Sequence, residues 1–273
     1  MSRSALIFGY GFIGAAFAEQ ARAAGFAISA TARTSDKRAA LQAAGISAID
    51  PADETALRTE AIKADAILIT PAPNDDGCPA FASIGHAAGS QWIGYLSTTG
   101  VYGDRDGGWV FEDFARLPTS KEGARRVLAE DQWLSKDAHI FRLPGLYGSG
   151  RNVIERLRAG TARRIHKPGH VFSRLHHDDC ATALLASLQR PEPGGIYNLC
   201  DDEPAPGDVV LDYAAALTGL PLPPQIIWDD PALSGPMQRF YRDNKRVANA
   251  RAKAVLGWRL QYPTYREGLI SLI

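Results

Sequence analysis

Short apolar runs alternate with segments of helical spacing in the first half of the chain. Apolar runs that are bounded by glycine or polar residues indicate strands buried on both faces. The strands predicted in this way are Ala5–Phe8, Phe26–Thr31, Ile46–Ile49, Ala66–Ile69, Trp92–Leu96 and His139–Leu143. The helices predicted between them are Ile13–Ala24, Asp36–Ala44 and a segment from Thr119 to about Ser135. Thr119, with Glu122 three residues later, fits a capping box.

Strands that alternate with helices form right-handed crossovers and a parallel sheet. The pattern therefore predicts an α/β fold with a doubly wound parallel sheet. We assign residues 1–150 and about 176–200 to this domain, and residues 151–175 and 201–273 to a smaller substrate-binding cap.

Proline and glycine interrupt the second half of the chain more often. The helices predicted there are Asn152–Ala159, His176–Gln189, Asp208–Leu217, Asn244–Leu256 and Tyr265–Leu272. Strands are predicted at Ile196–Leu199 and Ile226–Trp228. This part is too interrupted to form a second doubly wound domain.

The composition excludes several classes of partner. The chain has 273 residues, with 30 Lys+Arg against 30 Asp+Glu, so we expect no nucleic-acid and no anionic-membrane partner. Its apolar runs are too short for a signal peptide or a membrane span. The three cysteines lack the spacing of metal ligands, which favours a reducing, cytoplasmic location.

A glycine-rich loop follows the first predicted strand and opens the first predicted helix. Its sequence is Gly9-Tyr10-Gly11-Phe12-Ile13-Gly14. Gly9 and Gly11 permit a tight turn and the close approach of a pyrophosphate, and Gly14 lets the helix pack against the strand. Because the motif lies inside a strand–helix–strand unit, we predict a Rossmann-type domain that binds a dinucleotide through this loop, including Phe12 and Ile13.

The end of the second strand favours NADP over NAD. An NAD site usually has an acidic residue there, which binds the ribose 2′-hydroxyl. This chain instead has Arg33, Thr34 and Ser35, and its first acidic residue is Asp36. The guanidinium of Arg33 suits a 2′-phosphate, and the hydroxyls of Thr34 and Ser35 add donors. NAD stays open, since Arg33 could also be a solvated loop residue.

Four further segments, in chain order, resemble a known family. They are Ser97-Thr-Thr-Gly-Val-Tyr-Gly103, Arg142-Leu-Pro-Gly-Leu-Tyr-Gly148, Leu175-His-His-Asp-Asp-Cys-Ala181 and Leu256-Gly-Trp258 with Tyr262-Pro263. Together with the glycine loop, this set resembles the extended short-chain dehydrogenase/reductases, the NAD-dependent epimerase/dehydratase family. The resemblance implies a cofactor cleft that includes Thr70 and Pro71 after the fourth strand, and Pro144 and Leu146 beside the nicotinamide.

The resemblance also implies a catalytic serine or threonine, which is Thr98 here, and a Tyr-x-x-x-Lys pair on the next helix. Counting back from Glu130 gives Arg126 at the lysine position and Glu122 at the tyrosine position. The guanidinium of Arg126 can hold a ribose or a phosphate, but its pKa is too high for ordinary proton transfer. Glu122 is either a base or the helix-capping residue, and Tyr102 is a candidate substitute hydroxyl. The chain therefore resembles an atypical subgroup of the family.

Three other residues are candidates for the cleft. His176 is a secondary acid–base candidate, because a neutral imidazole transfers protons near pH 7. Arg239 and Tyr241 lie where the cap of the family covers the substrate. We expect no metal, because the adjacent side chains of the run from His176 to Asp179 should point in different directions.

The function expected from the sequence is NADP-dependent oxidoreduction or epimerisation of a small carbonyl, sugar or nucleotide-sugar. Because the Tyr-Lys pair is missing, whether the protein is an enzyme stays open, and the alternative is a non-catalytic NADP sensor or regulatory protein. The family resemblance also makes a homodimer through the helix Thr119–Ser135 an open alternative.

Overall fold

A computed structural model describes residues 3–231, 233 and 235–273. Its centre is a seven-stranded sheet in which every pairing is parallel, with the order β11-β7-β5-β4-β1-β2-β3. The strands of this sheet are β1 (Ser4–Phe8), β2 (Ala27–Thr31), β3 (Ser47–Ile49), β4 (Ala66–Ile69), β5 (Trp92–Thr98), β7 (His139–Leu143) and β11 (Ile196–Asn198). The predicted doubly wound α/β fold is confirmed.

Helices cover both faces of this sheet, and others follow in the later part of the chain. They are α1 (Phe12–Ala23), α2 (Ser35–Ala43), α3 (Glu54–Lys63), α4 (Pro79–Ile84), α5 (Lys121–Leu134), α6 (Val153–Arg158), α7 (His177–Gln189), α8 (Gly207–Thr218), α9 (Gly235–Phe240), α10 (Ala250–Leu256) and α11 (Tyr265–Ile270). None of the helices in the described residues is long and apolar enough to cross a membrane.

The predicted capping box at Thr119 is wrong. The N-cap of α5 is Ser120, whose hydroxyl accepts a hydrogen bond from the Gly123 amide. The hydroxyl of Thr119 instead donates to Asp243 at 2.6 Å, a residue far along the chain. Glu122 is therefore free of a capping role in its own helix.

Strand order places a ligand crevice beside β1. From β1 the chain first builds β2 and β3 on one side, and then β4, β5, β7 and β11 on the other. Ligands of such sheets bind at this reversal, outside the carboxyl ends of the strands. The register aligns Phe8 with Ile69, Ile69 with Tyr95, and Thr98 with Leu143. The loops that follow these strands therefore meet along one edge.

Three two-stranded sheets lie outside the central one in the described residues. They pair β8 (Gly145–Tyr147) with β10 (Arg174–His176), β9 (Arg164–His166) with β12 (Gln225–Ile227), and β6 (Trp109–Val110) with β13 (Arg246–Val247). The predicted helix Asn244–Leu256 is wrong in its first half, because residues 246–247 pair with β6 as a strand. Its second half, α10, packs against α7 and β11.

An ionic cluster is buried between β5, β7 and α5. The carboxylate of Glu130, which is 0% exposed, accepts from Ser97 Oγ at 2.6 Å and from Arg142 Nη2 at 2.8 Å. Arg116 adds a contact of 3.2 Å to the same carboxylate. The guanidinium of Arg142 also donates to the hydroxyl of Tyr102 at 2.8 Å. The cluster thus fixes the end of β5, directly before Thr98.

We predict that Glu130→Gln lowers the free energy of unfolding by about 3–5 kcal/mol, because it leaves Arg142 buried without its counter-charge. The matched control is Glu54→Gln, which removes an exposed pair with Arg58 on one helix face and should cost at most about 0.5 kcal/mol. Urea denaturation measures both. Equal costs for the two variants would show that the buried cluster does not stabilise the fold.

Candidate dinucleotide-binding site and cleft

The glycine loop is fixed by its neighbouring strands. Gly9 has φ +93°, a conformation that favours glycine, and a Cβ there would lie 2.5 Å from Thr70 Oγ1. The Gly9 amide donates to Thr31 Oγ1 at 2.8 Å, and its carbonyl accepts from Thr70 Oγ1 at 2.6 Å. Hydroxyls that end β2 and follow β4 therefore hold both sides of the turn.

The start of α1 is open to a ligand. Gly11 is its N-cap, and no side chain caps the helix or places an acid in its first turn. A Cβ on Gly11 would meet nothing within 4 Å, whereas one on Gly14 would lie 3.0 Å from the Gly9 carbonyl oxygen. Gly14 thus allows the helix to approach the strand, and Gly11 leaves space above the amides around Phe12 and Ile13. Free amides and the positive end of the helix dipole suit a pyrophosphate.

Positive side chains surround the end of β2. Arg33 is exposed. The hydroxyl of Thr34 caps α2 by accepting from the Lys37 amide at 3.3 Å, and Ser35 contacts Asp36. The ammonium of Lys37 donates to the Tyr10 carbonyl at 2.5 Å, which places it on the glycine loop. Sequence reasoning missed Lys37, although its position on the first turn of α2 was a signal.

Arg126 lies where the ends of β4 and β5 meet. Its Nη1 donates to the Leu96 carbonyl at 2.6 Å, to the Tyr95 hydroxyl at 3.1 Å and, at 3.5 Å, to the carbonyl of Pro71. The half-buried guanidinium is therefore held at the edge of the crevice. Thr70 and Pro71 thus connect the glycine loop with α5.

Thr98 ends β5 and is half-buried. Its Oγ1 accepts from the Gly100 amide at 3.2 Å, which leaves its own hydrogen for donation. Glu122 is exposed on the first turn of α5, one turn before Arg126. Beside these groups, Pro144 and Leu146 follow β7, which pairs with β5 through Thr98 and Leu143. The structure thus places Thr98, Arg126, Pro144 and Leu146 along one edge.

Tyr102 does not supply an accessible hydroxyl, contrary to expectation. It is 0% exposed, and its hydroxyl donates to Asn198 Oδ1 at 2.7 Å while it accepts from Arg142. Burial raises its pKa, which further opposes proton transfer. Sequence proximity to Thr98 was misleading because the turn Thr99–Tyr102 folds the ring inward.

His176 is also unsuited to the expected acid–base role. It is 2% exposed, and its ring packs against Tyr147, His177 and Tyr262. Its Nδ1 accepts from the Asp178 amide at 3.3 Å and so caps α7. Burial lowers its pKa to about 4, which keeps the ring neutral at pH 7.

The two cap candidates differ. Arg239 is exposed on α9 and remains a candidate for substrate binding. Tyr241 is 9% exposed and packs with His170 and Phe172, so the expected contact of its ring with substrate is not supported. The guanidinium of Arg151 lies 5.6 Å from the Phe12 ring centroid, beside the start of α1.

Solved structures define the class of fold. The dTDP-glucose 4,6-dehydratase of Bacillus anthracis, solved with NAD, matches with a TM-score of 0.78 at 16% identity, over 98% of this chain and 94% of that one. A human epimerase family protein with NADPH matches with a TM-score of 0.78 at 16% identity, over 98% of both chains. The fold is that of the extended short-chain dehydrogenase/reductases, the NAD-dependent epimerase/dehydratase class.

A nearer relative defines the family. A functionally unknown conserved protein from Silicibacter pomeroyi is 44% identical, with a TM-score of 0.93, over 99% of this chain and 98% of that one. The chain belongs to the same family as this protein. No family model matches the chain.

Two curated relatives match part of the chain. Protein YeeZ of Escherichia coli is 33% identical over 174 residues, 62% of this chain and 58% of that protein. The 3-diazoavenalumate denitrifying reductase of a Streptomyces species is 32% identical over 144 residues, 48% of this chain and 45% of that protein. Both matches cover less than two thirds of the relative's own length.

The cap should lose stability in acid because of His170. This residue is 1% exposed, and burial followed by the charge of Lys167 lowers its pKa from 6.5 to about 4. Between these values the unfolded chain binds a proton that the folded chain does not, so stability falls as the pH falls from about 6.5 towards 4. We predict that His170→Gln makes this slope shallower, as measured by urea denaturation at several pH values.

The control for this prediction is His86→Gln, at an exposed histidine outside the cap, which should keep the wild-type slope. An unchanged slope in His170→Gln would contradict the assignment.

Proposed function

We propose that the protein binds NADP at the carboxyl edge of its sheet and acts as an oxidoreductase or epimerase on a small carbonyl, sugar or nucleotide-sugar. The glycine loop carries this proposal, since Gly9 is locked in its turn and Gly11 leaves the amides of α1 open. The NADPH bound to the human epimerase family protein and the name of the Streptomyces reductase support it.

The charges around β2 support the choice of NADP. Arg33 and Lys37 supply two positive groups, and the Lys37 ammonium is already fixed on the carbonyl of Tyr10 in the glycine loop. A 2′-phosphate would gain charge-assisted hydrogen bonds from such groups. The first acidic residue after β2, Asp36, accepts a hydrogen bond from the hydroxyl of Ser35.

The cleft residues have separate roles in the proposed reaction. Bound NADP supplies the site that accepts or gives a hydride. Thr98 would donate its hydroxyl hydrogen to the reacting oxygen of the substrate, and the guanidinium of Arg126 would donate hydrogen bonds to the hydroxyls of the cofactor's ribose. When an alcohol is oxidised, the carboxylate of Glu122 would take its hydroxyl proton, and the bound oxidised cofactor would take the hydride of the adjacent carbon.

We predict that Arg33→Ala weakens NADPH binding about 10- to 100-fold, the value of a lost charge-assisted hydrogen bond, while NADH binding changes little. Fluorescence titration with each cofactor measures this. Arg58→Ala, at an exposed arginine on α3, is the matched control and should change neither affinity. Tighter binding of NADH than of NADPH by the wild type would contradict the choice of NADP.

We further predict that Thr98→Ala and Glu122→Gln each lower kcat about 100-fold, the scale of a lost acid–base or orienting group. Tyr102→Phe should retain kcat at temperatures where it is folded, because the ring is buried behind the cleft. The measurement is NADPH consumption with a panel of aldehydes and nucleotide-sugars. Unchanged turnover in Thr98→Ala would refute the assignment of the site.

A non-catalytic NADP sensor is the second candidate function. Two observations favour it: α5 contains no tyrosine, and the hydroxyl of Tyr102 is sealed between Asn198 and Arg142. A sensor would bind NADPH with the same dependence on Arg33 but would consume none of it with any substrate of the panel. The substrate assay therefore separates the two functions.

A further inference from the structure

We propose that His176, His177 and Asp178 form a binding site for a divalent transition-metal ion such as Zn²⁺ at the start of α7. One imidazole nitrogen from each histidine and one carboxylate oxygen lie within 4.8 Å of one another. Imidazole and carboxylate together are ligands that Zn²⁺ accepts. This proposal does not depend on the proposed function.

The spacing of the ligand atoms suits such an ion. His177 Nδ1 lies 2.9 Å from Asp178 Oδ1, and His176 Nδ1 lies 3.5 Å from Asp178 Oδ2. Bonds of about 2.1 Å to a metal place neighbouring ligand atoms about 3.0 Å apart in an octahedron and about 3.4 Å apart in a tetrahedron. Both measured distances are close to these values, although they run to the two different oxygens of the Asp178 carboxylate. Because the three ligand atoms are spread over up to 4.8 Å, the side chains must move closer together when the ion binds.

Consecutive residues converge because the helix begins between them, contrary to the expected divergence. His176 is the N-cap, with φ −68° and ψ 141°, whereas His177 is the first helical residue. The two rings stack with centroids 4.7 Å apart. Gly148 makes room for the second ring, since a Cβ there would lie 1.6 Å from His177 Cδ2. Packing therefore holds both rings before any ion arrives.

Ring nitrogens of His176 and His177 that lack a hydrogen-bond partner also indicate a ligand. Nε2 of His177 and Nε2 of His176 are buried without a hydrogen-bond partner within the described residues, whereas Nδ1 of His177 already lies 2.9 Å from Asp178 Oδ1. Buried polar atoms are normally paired. Nδ1 of His176 holds only the 3.3 Å bond from the Asp178 amide, which is long enough to yield to a metal.

The surroundings admit an ion and offset the charge of the helix end. His177 lines an open groove of about 490 Å³ together with Phe12 and Ser149, and the side chain of Asp178 is 35% exposed. The positive end of a helix disfavours a bound cation. The carboxylates of Asp178 and Asp179 in the first turn counter this effect. Water from the groove can fill the remaining coordination positions.

The test is titration of the full chain with Zn²⁺, after treatment with a chelator, by calorimetry, and with Co²⁺ by visible absorption. We expect one ion per chain and a rise of Tm with Zn²⁺, but no response to Mg²⁺, which prefers oxygen ligands. His177→Ala and Asp178→Asn should each weaken binding at least about tenfold, since even outer-shell changes cost 10- to 100-fold.

Two further variants test the third ligand and provide a control. His176→Asn removes the imidazole but keeps an N-cap acceptor, and it should weaken binding as His177→Ala does. His86→Ala removes an exposed histidine elsewhere and should bind like the wild type. The proposal is overturned if the wild type takes up no stoichiometric Zn²⁺, or if Asp178→Asn, which conserves size but removes the charge, binds Zn²⁺ as tightly as the wild type.

Discussion

The turn at Gly9 is the constraint on which the functional edge of the sheet depends. Its amide and carbonyl are bound by the hydroxyls of Thr31 and Thr70, which belong to the ends of β2 and β4. This turn therefore joins three neighbouring strands at the point where the strand order reverses. Only a residue without a Cβ fits, since φ is +93° and Thr70 Oγ1 lies 2.5 Å from the position of a Cβ.

The second half of the edge depends on a buried charge. Glu130 ties Ser97 of β5 to Arg142 of β7, while its own helix carries Arg126 to the ends of β4 and β5. Thr98 follows Ser97 directly, so the cluster sets the position of the one hydroxyl that we place on the substrate. The glycine loop and Thr98 are thus held by two separate networks.

Periodicity predicted the central sheet well because its strands are buried on both faces and therefore apolar throughout. Ala66–Ile69 and His139–Leu143 agree with the structure to the residue. The sequence did not predict α3, where apolar residues are few, or the strand at residues 246–247, whose partner β6 lies far away along the chain. Short cap strands are set by such pairings, and no local pattern encodes them.

The sequence predicted the parts of the site that depend on local backbone geometry. It did not predict which side chains are buried. The spacing of the glycines predicted the loop, because each glycine stands at a position where a side chain would clash with the protein or with the expected ligand. The roles expected for Tyr102, His176 and Tyr241 did not agree with the structure, because distant residues such as Asn198 and Tyr262 bury them. The sequence also did not predict that the side chains of His176, His177 and Asp178 converge. They converge because α7 begins at His177.

The most direct test of the account is the NADPH affinity of Gly11→Ala. Gly11 has φ −109°, and a Cβ there meets nothing within 4 Å, so the variant should fold with the Tm of the wild type. The added methyl group would occupy the space that a pyrophosphate needs above the amides of α1. We expect a loss of NADPH binding at unchanged Tm, and wild-type affinity in this variant would contradict binding of the cofactor at the glycine loop.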